Sequence, residues 1–123
     1  MALVLDSGAL IAIDRHDRAM IARLVAAHED GEAVRTSTAA VAQVWRGGAR
    51  QVTLARVLQG VEEIALDGDQ SRAIGALLAK TSQRDVVDAA VALVARSADE
   101  ILTSDPKDIK ALVKGRGVRV SLV

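Results

Sequence analysis

The sequence predicts a three-layer α/β sandwich, with a central, mainly parallel sheet of about four to five strands flanked by helices. Three observations carry this prediction. Short apolar runs such as Ala2-Leu3-Val4-Leu5 end abruptly at polar residues, as strands buried on both faces do. These runs alternate with stretches of helical period, and strands joined through helices form right-handed crossovers in a sheet covered on both sides. The chain has 123 residues, enough for one hydrophobic core and too few for two, so residues 1–123 are expected to form a single domain.

The elements follow in order. Residues 2–5 form the first strand. After Asp6-Ser7-Gly8 come a short apolar helix over 9–13 and an amphipathic one over 17–29, with Met20, Ile21, Leu24 and Val25 on one stripe and Asp30-Gly31 as its stop. A weak strand over 33–36 leads to Ser37 and Thr38 as caps of a helix over 39–46 that ends at Gly47-Gly48. Residues 49–59 read as a helix closed by Gly60, and 61–66 as a strand closed by an Asp67-Gly68-Asp69 turn. A further helix contains 73–79, and Ser82-Gln83-Arg84-Asp85 has the pattern of a capping box before a helix over 86–96. Residues 100–103 form a strand, Asp105-Pro106 opens a helix with proline at its first position, and 118–123 form the last strand.

Composition narrows the functions. No apolar run approaches the roughly 20 residues of a membrane-spanning helix. The opening Met-Ala-Leu-Val-Leu-Asp lacks the basic leader of a secretory signal, so a cytoplasmic protein without membrane contact is expected. The lack of cysteine excludes a disulfide framework and thiolate metal sites, a zinc centre is hard to assemble from His16 and His28 alone, and any metal must be held by oxygen. Both histidines read as exposed helix positions without chemistry. Sixteen basic and sixteen acidic residues cancel, so a polyanion would have to be met by local patches. One tryptophan, with no phenylalanine or tyrosine, leaves no aromatic platform for stacking single-stranded bases.

Ligands of open α/β sheets bind beyond the carboxyl ends of the strands, and two aspartates follow strands directly. Asp6 follows the first; Asp105 follows the 100–103 strand, beside the hydroxyls of Thr103 and Ser104. Helix capping is the plainer explanation for Asp105, as it is for Asp85. Asp88, three residues beyond Asp85, is harder to explain by capping, because it sits among Val86, Val87, Ala89, Ala90 and Val91, where a carboxylate needs a compensating cation. Several carboxylates meeting at one place imply a metal, and hard oxygen ligands favour Mg²⁺ or Mn²⁺. Such a centre suits hydrolysis of a phosphodiester.

Three segments resemble the PIN-domain ribonucleases, and among them the VapC-type toxins of bacterial toxin–antitoxin pairs. They are residues 3–10 (Leu-Val-Leu-Asp-Ser-Gly-Ala-Leu), 85–92 (Asp-Val-Val-Asp-Ala-Ala-Val-Ala) and 102–108 (Leu-Thr-Ser-Asp-Pro-Lys-Asp). The resemblance spans nearly the whole chain. It implies a PIN-like fold, Mg²⁺- or Mn²⁺-dependent endoribonuclease activity on structured RNA such as tRNA or rRNA, a cognate antitoxin and a homodimer. Asp6, Asp88 and Asp105 would be the catalytic, metal-binding acids, with Asp85 and Asp108 as further contributors and Thr103 or Ser104 in support. The family usually has a glutamate where this chain has Gln43, a loss of charge that weakens divalent binding and favours a single ion. Ile21, Leu24, Val44, Trp45, Leu54 and Leu58 are candidates for the antitoxin groove, and Arg15, Arg46, Arg50, Arg84 and Lys107 for phosphate contacts.

Two other readings fit less well. A receiver-type phosphoacceptor domain has this length and an acidic Mg²⁺ pocket, but it needs two adjacent acids after the first strand, and its acceptor here would be Asp67 in a turn. A PIN-fold binding module without activity is favoured by Gln43 alone.

Overall fold

The computed structural model describes residues 1–123. Five strands form one sheet in the order β3-β2-β1-β4-β5, every neighbouring pair parallel. β1 (Ala2–Leu5) and β4 (Glu100–Thr103) lie inside and are buried along their whole lengths. β2 (Ala33–Ser37) and β3 (Glu62–Ile64) extend the sheet on one side, and β5 (Arg119–Leu122) on the other. The apolar runs are therefore the central strands, as two-sided burial requires.

The chain winds outward from β1 through α1 (Ser7–Asp14) and α2 (Arg18–Glu29) to β2. It continues through α3 (Thr38–Val44), a single 3₁₀ turn (Ala49–Gln51) and α4 (Val52–Leu58) to β3. α5 (Gly68–Thr81) and α6 (Val86–Val94) then carry it back across the sheet to β4, and α7 (Pro106–Val113) leads on to β5. Winding reverses between β1 and β4, so right-handed connections place α5, α6 and α7 on the face opposite α1 and α2. α6 packs on β1 and β2. Its buried face of Ala89, Ala90, Val91, Ala92 and Val94 is mostly small, which suits close seating on Leu3, Val4 and Leu5. No helix is long and apolar enough to cross a membrane.

Element boundaries differ from expectation where side-chain caps decide them. The expected Asp67-Gly68-Asp69 turn is the start of α5: Asp67 is its N-cap, accepting from the Gln70 N–H at 2.9 Å. Ser82 does not open α6 as a capping box would have it. It closes α5 in the left-handed region (φ 58), and Asp85 itself caps α6, accepting from the Asp88 N–H at 2.9 Å. β3 is shorter than the expected 61–66, being an edge strand with no inward face to extend.

A buried polar network ties the amino ends of the strands. Asp99, 3 % exposed, accepts from the Ala2 N–H at 2.8 Å and the Arg96 N–H at 2.9 Å, and pairs with Arg35 at 3.4 Å. Glu100 pairs with Arg23 and, at 3.7 Å, Arg119, and accepts from the Ser121 hydroxyl at 2.5 Å. Both carboxylates are satisfied inside the fold, which offsets the cost of burying them. Asp99→Ala strands two amide donors, Arg35 keeping its pair with Glu62 at 3.1 Å, and is expected to lower stability by roughly 1–3 kcal/mol for each stranded amide. A urea midpoint within error of wild type would refute that role.

Candidate metal centre and catalytic site

The carboxyl ends of β1 and β4 meet where the winding reverses, the usual place for a ligand in an open α/β sheet. Leu5 is in register with Leu102, and the Asp6 N–H continues the ladder by donating to the Leu102 carbonyl at 3.0 Å. Asp6 and the residues after Thr103 are thereby side by side although 97 positions separate Asp6 from Thr103.

Asp6 is 3 % exposed and caps α1, one carboxylate oxygen accepting from the Ser7 N–H at 2.6 Å. Its other oxygen accepts from the buried Thr103 hydroxyl at 2.5 Å. That hydroxyl oxygen also accepts from the Asp105 N–H at 3.0 Å, so Thr103 joins the carboxylate of one strand end to the backbone of the other. Gly8 completes the junction. A Cβ there would lie 2.3 Å from Ser104 Oγ and 2.8 Å from Ser104 N, so the β4–α7 loop can rest on α1 only because position 8 has no side chain.

One oxygen each from Asp88, Asp105 and Asp108 lies within 4.8 Å of the others. Asp6 borders this trio, outside that limit but close enough for its charge to raise Asp88. Asp105 occupies the N-cap position of α7 but its side chain caps nothing, so the capping explanation for this residue fails. Its carboxylate instead hydrogen-bonds Asp108, one turn along α7. Asp85 does cap, and remains exposed at the edge. Helices α1, α6 and α7 all begin here, and their N-terminal dipoles favour the negative charge.

The charge is still under-compensated. Burial raises the Asp6 carboxyl; its bonds from Thr103 and Ser7 oppose the rise, and Asp85 and Asp105 add to it. Asp88 is pushed up to about 7, by burial first and then by Asp6, Asp85, Asp105 and Asp108. Asp108 is also raised, chiefly by its hydrogen bond to Asp105. The donor set fits a hard divalent cation. Three carboxylate oxygens within 4.8 Å of one another offer the hard ligands that Mg²⁺ and Mn²⁺ take.

The other expected site residues divide. The Ser7 hydroxyl donates to the Gln43 carbonyl oxygen, which brings α3 to the site with a neutral group. Ser104 is exposed on the loop, and Lys107 is near enough to Asp108 to lower it slightly. Arg15 lies across a depression from Ser104. Arg46 turns to its own helix end, donating to the Trp45 carbonyl at 2.7 Å, while Arg50 and Arg84 are exposed. Val44 and Leu54 belong to the core and line no groove. Trp45, 41 % exposed, lines an open groove of about 380 Å³ with Val41, Ala55, Leu58, Gln59 and Glu63, away from Ile21 and Leu24. Gln51 had no recognised role in the sequence. Buried, it accepts from the Arg46 and Gly47 N–H groups at 2.7 and 2.9 Å and holds the turn beside Trp45.

No protein-family model matches the sequence, and no curated protein matches it. The fold does have a counterpart among solved structures. A chain of VapBC2 from Rickettsia felis, crystallised with a DNA fragment from the promoter, is similar to this chain with a TM-score of 0.72 and 14 % identity. The match covers 100 % of this chain and 99 % of that one. The architecture expected from the resemblance, a PIN-like α/β sandwich, is thus the one found.

Two outcomes follow. Gly8→Ala is expected to displace the Ser104–Asp105 loop, weaken Mn²⁺ binding and cost about 1–3 kcal/mol; unchanged Mn²⁺ affinity by calorimetry would show that the contact is dispensable. Asp88 titrates near 7 when folded and near 3.8 when unfolded, so between these values the native state holds the extra proton. Its contribution to stability is therefore greatest below the lower value and is lost as pH rises through the upper one. In urea unfolding without divalent cation, Asp88→Asn should gain on wild type as pH rises from about 4 to 7, and added Mn²⁺ should reduce that gain; a pH-independent difference would contradict the assignment.

Proposed function

We propose that this protein is a Mg²⁺- or Mn²⁺-dependent endoribonuclease, a single catalytic domain over residues 1–123, acting as the toxin of a toxin–antitoxin pair. The observation that carries the reading is the meeting of Asp88, Asp105 and Asp108 beside Asp6, at the point of the sheet where ligands bind, with Asp88 raised to about 7. Carboxylates gathered at such cost to their ionisation are best explained by a cation.

Asp88, Asp105 and Asp108 would hold the cation, with Asp6 adding charge and Asp85 at the outer edge. When bound, the cation supplies neutralising charge and polarises a phosphodiester for attack by water. Thr103 keeps the Asp6 carboxylate and the Asp105 backbone in fixed relation. Ser104 and Lys107 stand exposed at the mouth, where a phosphate would approach. Gln43 adds no charge on the α3 side, which supports one cation over two.

The absence of Phe and Tyr favours RNA recognised by shape and phosphate over base stacking, as in structured tRNA or rRNA. The neighbouring fold comes from a two-protein complex on promoter DNA, which supports an antitoxin partner here. The apolar groove at Trp45, with Glu63 on its rim, is where an antitoxin segment would seat. Self-association as a homodimer in the cytoplasm completes the proposal. The receiver-type alternative loses its support: receivers order their strands 2-1-3-4-5, whereas this sheet runs 3-2-1-4-5, and Asp67 is a helix cap.

Purified protein freed of antitoxin is expected to cut structured RNA with Mg²⁺ or Mn²⁺ and to stop on chelation. Asp6→Asn and Asp88→Asn should each lower the rate by about a hundredfold or more. Cleavage that survives both substitutions sinks the reading, while folded protein with no calorimetric response to Mn²⁺ favours an inactive binding module. Gln43→Glu should tighten Mn²⁺ binding, and equal or weaker affinity would contradict the role given to that position.

A further inference from the structure

Next to the carboxylates, on the α1 side, lies a depression of about 350 Å³ lined by Gly8, Ile11, Ala12, Arg15, Ser104 and Val123, with Asp17 at its rim. The chemistry described above makes no use of it. It borders the acid site: Gly8 follows Asp6 by two residues, and Ser104, which packs against Gly8, directly precedes Asp105. Ile11, 38 % exposed, and Ala12 give it an aliphatic floor. Arg15 is exposed at the end of α1 and takes part in none of the ion pairs of the fold. Asp17, also in the lining, keeps its charge but is directed to the start of α2, where its carboxylate accepts from the Met20 N–H at 2.8 Å.

The volume is at the lower end of the roughly 300–1,000 Å³ of small-molecule pockets, suited to one nucleotide-sized group. An apolar floor, a free guanidinium and a hydroxyl beside a phosphodiester-cleaving centre match one ligand class. We propose that this depression is the subsite for the RNA nucleotide next to the scissile phosphate, with Arg15 contacting its flanking phosphate and Ile11 and Ala12 lying under its base or ribose. The proposal rests on the nuclease reading. An aliphatic floor carries no pattern of donors and acceptors, so the subsite holds a nucleotide of any base and its affinity depends on the phosphate contact.

The test separates binding from cleavage. In the Asp88→Asn protein without divalent cation, binding of a fluorescein-labelled RNA hairpin with a mixed-sequence loop is followed by anisotropy over a range of salt concentrations. Arg15→Ala is expected to weaken binding about tenfold and to reduce the salt slope by about 0.7. Ile11→Glu should weaken binding as well, and Lys80→Glu on α5 should not. Both subsite positions are exposed, and circular dichroism with the urea midpoint verifies that each variant folds. No RNA binding by the Asp88→Asn protein, or equal binding by Arg15→Ala and Ile11→Glu, overturns the subsite. If binding depends on both residues while wild type cuts no RNA with Mg²⁺ or Mn²⁺, the nuclease reading falls, and what stands is an RNA-binding depression with no scissile phosphate beside it. If wild type cuts RNA and both variants cut it with unchanged KM, the subsite falls and the nuclease reading stands.

Discussion

Pairing between β1 and β4 is the constraint on which the molecule turns. These strands come from opposite ends of the chain, and the register of Leu5 with Leu102 sets Asp6 against the residues that follow Thr103. Carboxylates repel, so nothing in their own interactions would assemble them. The buried ladder does so, using the hydrophobic stabilisation of Leu3, Val4, Ile101 and Leu102 to hold charges together that would otherwise separate. The Thr103 hydroxyl then converts strand adjacency into side-chain alignment by serving Asp6 and Asp105 at once.

The two ends of the same strands treat charge in opposite ways. At the amino ends, Asp99 and Glu100 are buried with arginines and amides that complete their hydrogen bonding. At the carboxyl ends, Asp88, Asp105 and Asp108 have acidic neighbours and no arginine partner. Both groups contain acids close to the core, and only the second is left under-compensated. That contrast, more than the number of acids, distinguishes the structural network from the candidate metal site.

Much of the architecture was legible because two-sided burial wrote β1 as an unbroken apolar run, and the alternation of short strands with helical periods placed the other four, including the weak 33–36. Edges were less legible: β3 and β5 have exposed positions, and their limits depend on partners that the sequence does not display. Caps were ambiguous for a related reason. Ser82 and Asp85 both suit an N-cap, and only the left-handed backbone at Ser82 decides between them. At the site, Asp6, Asp88 and Asp105 were visible as acids after strands or within apolar surroundings. Asp108 was underrated, although Asp105 and Asp108 repeat the three-residue spacing of Asp85 and Asp88 at a helix start. The contact between Gly8 and Ser104 had no local signal, since it depends on two segments nearly a hundred residues apart.

That long separation also governs when the centre can exist. Asp6 is synthesised well before Thr103, which lies 97 positions further along, and before Asp105 and Asp108 beyond it. A ribosome-tethered chain lacking β4 has no switch point, and closing so large a loop is a late and entropically demanding step. The acids therefore stay apart until β4 has been made and paired with β1, and whatever chemistry they perform begins only after that closure.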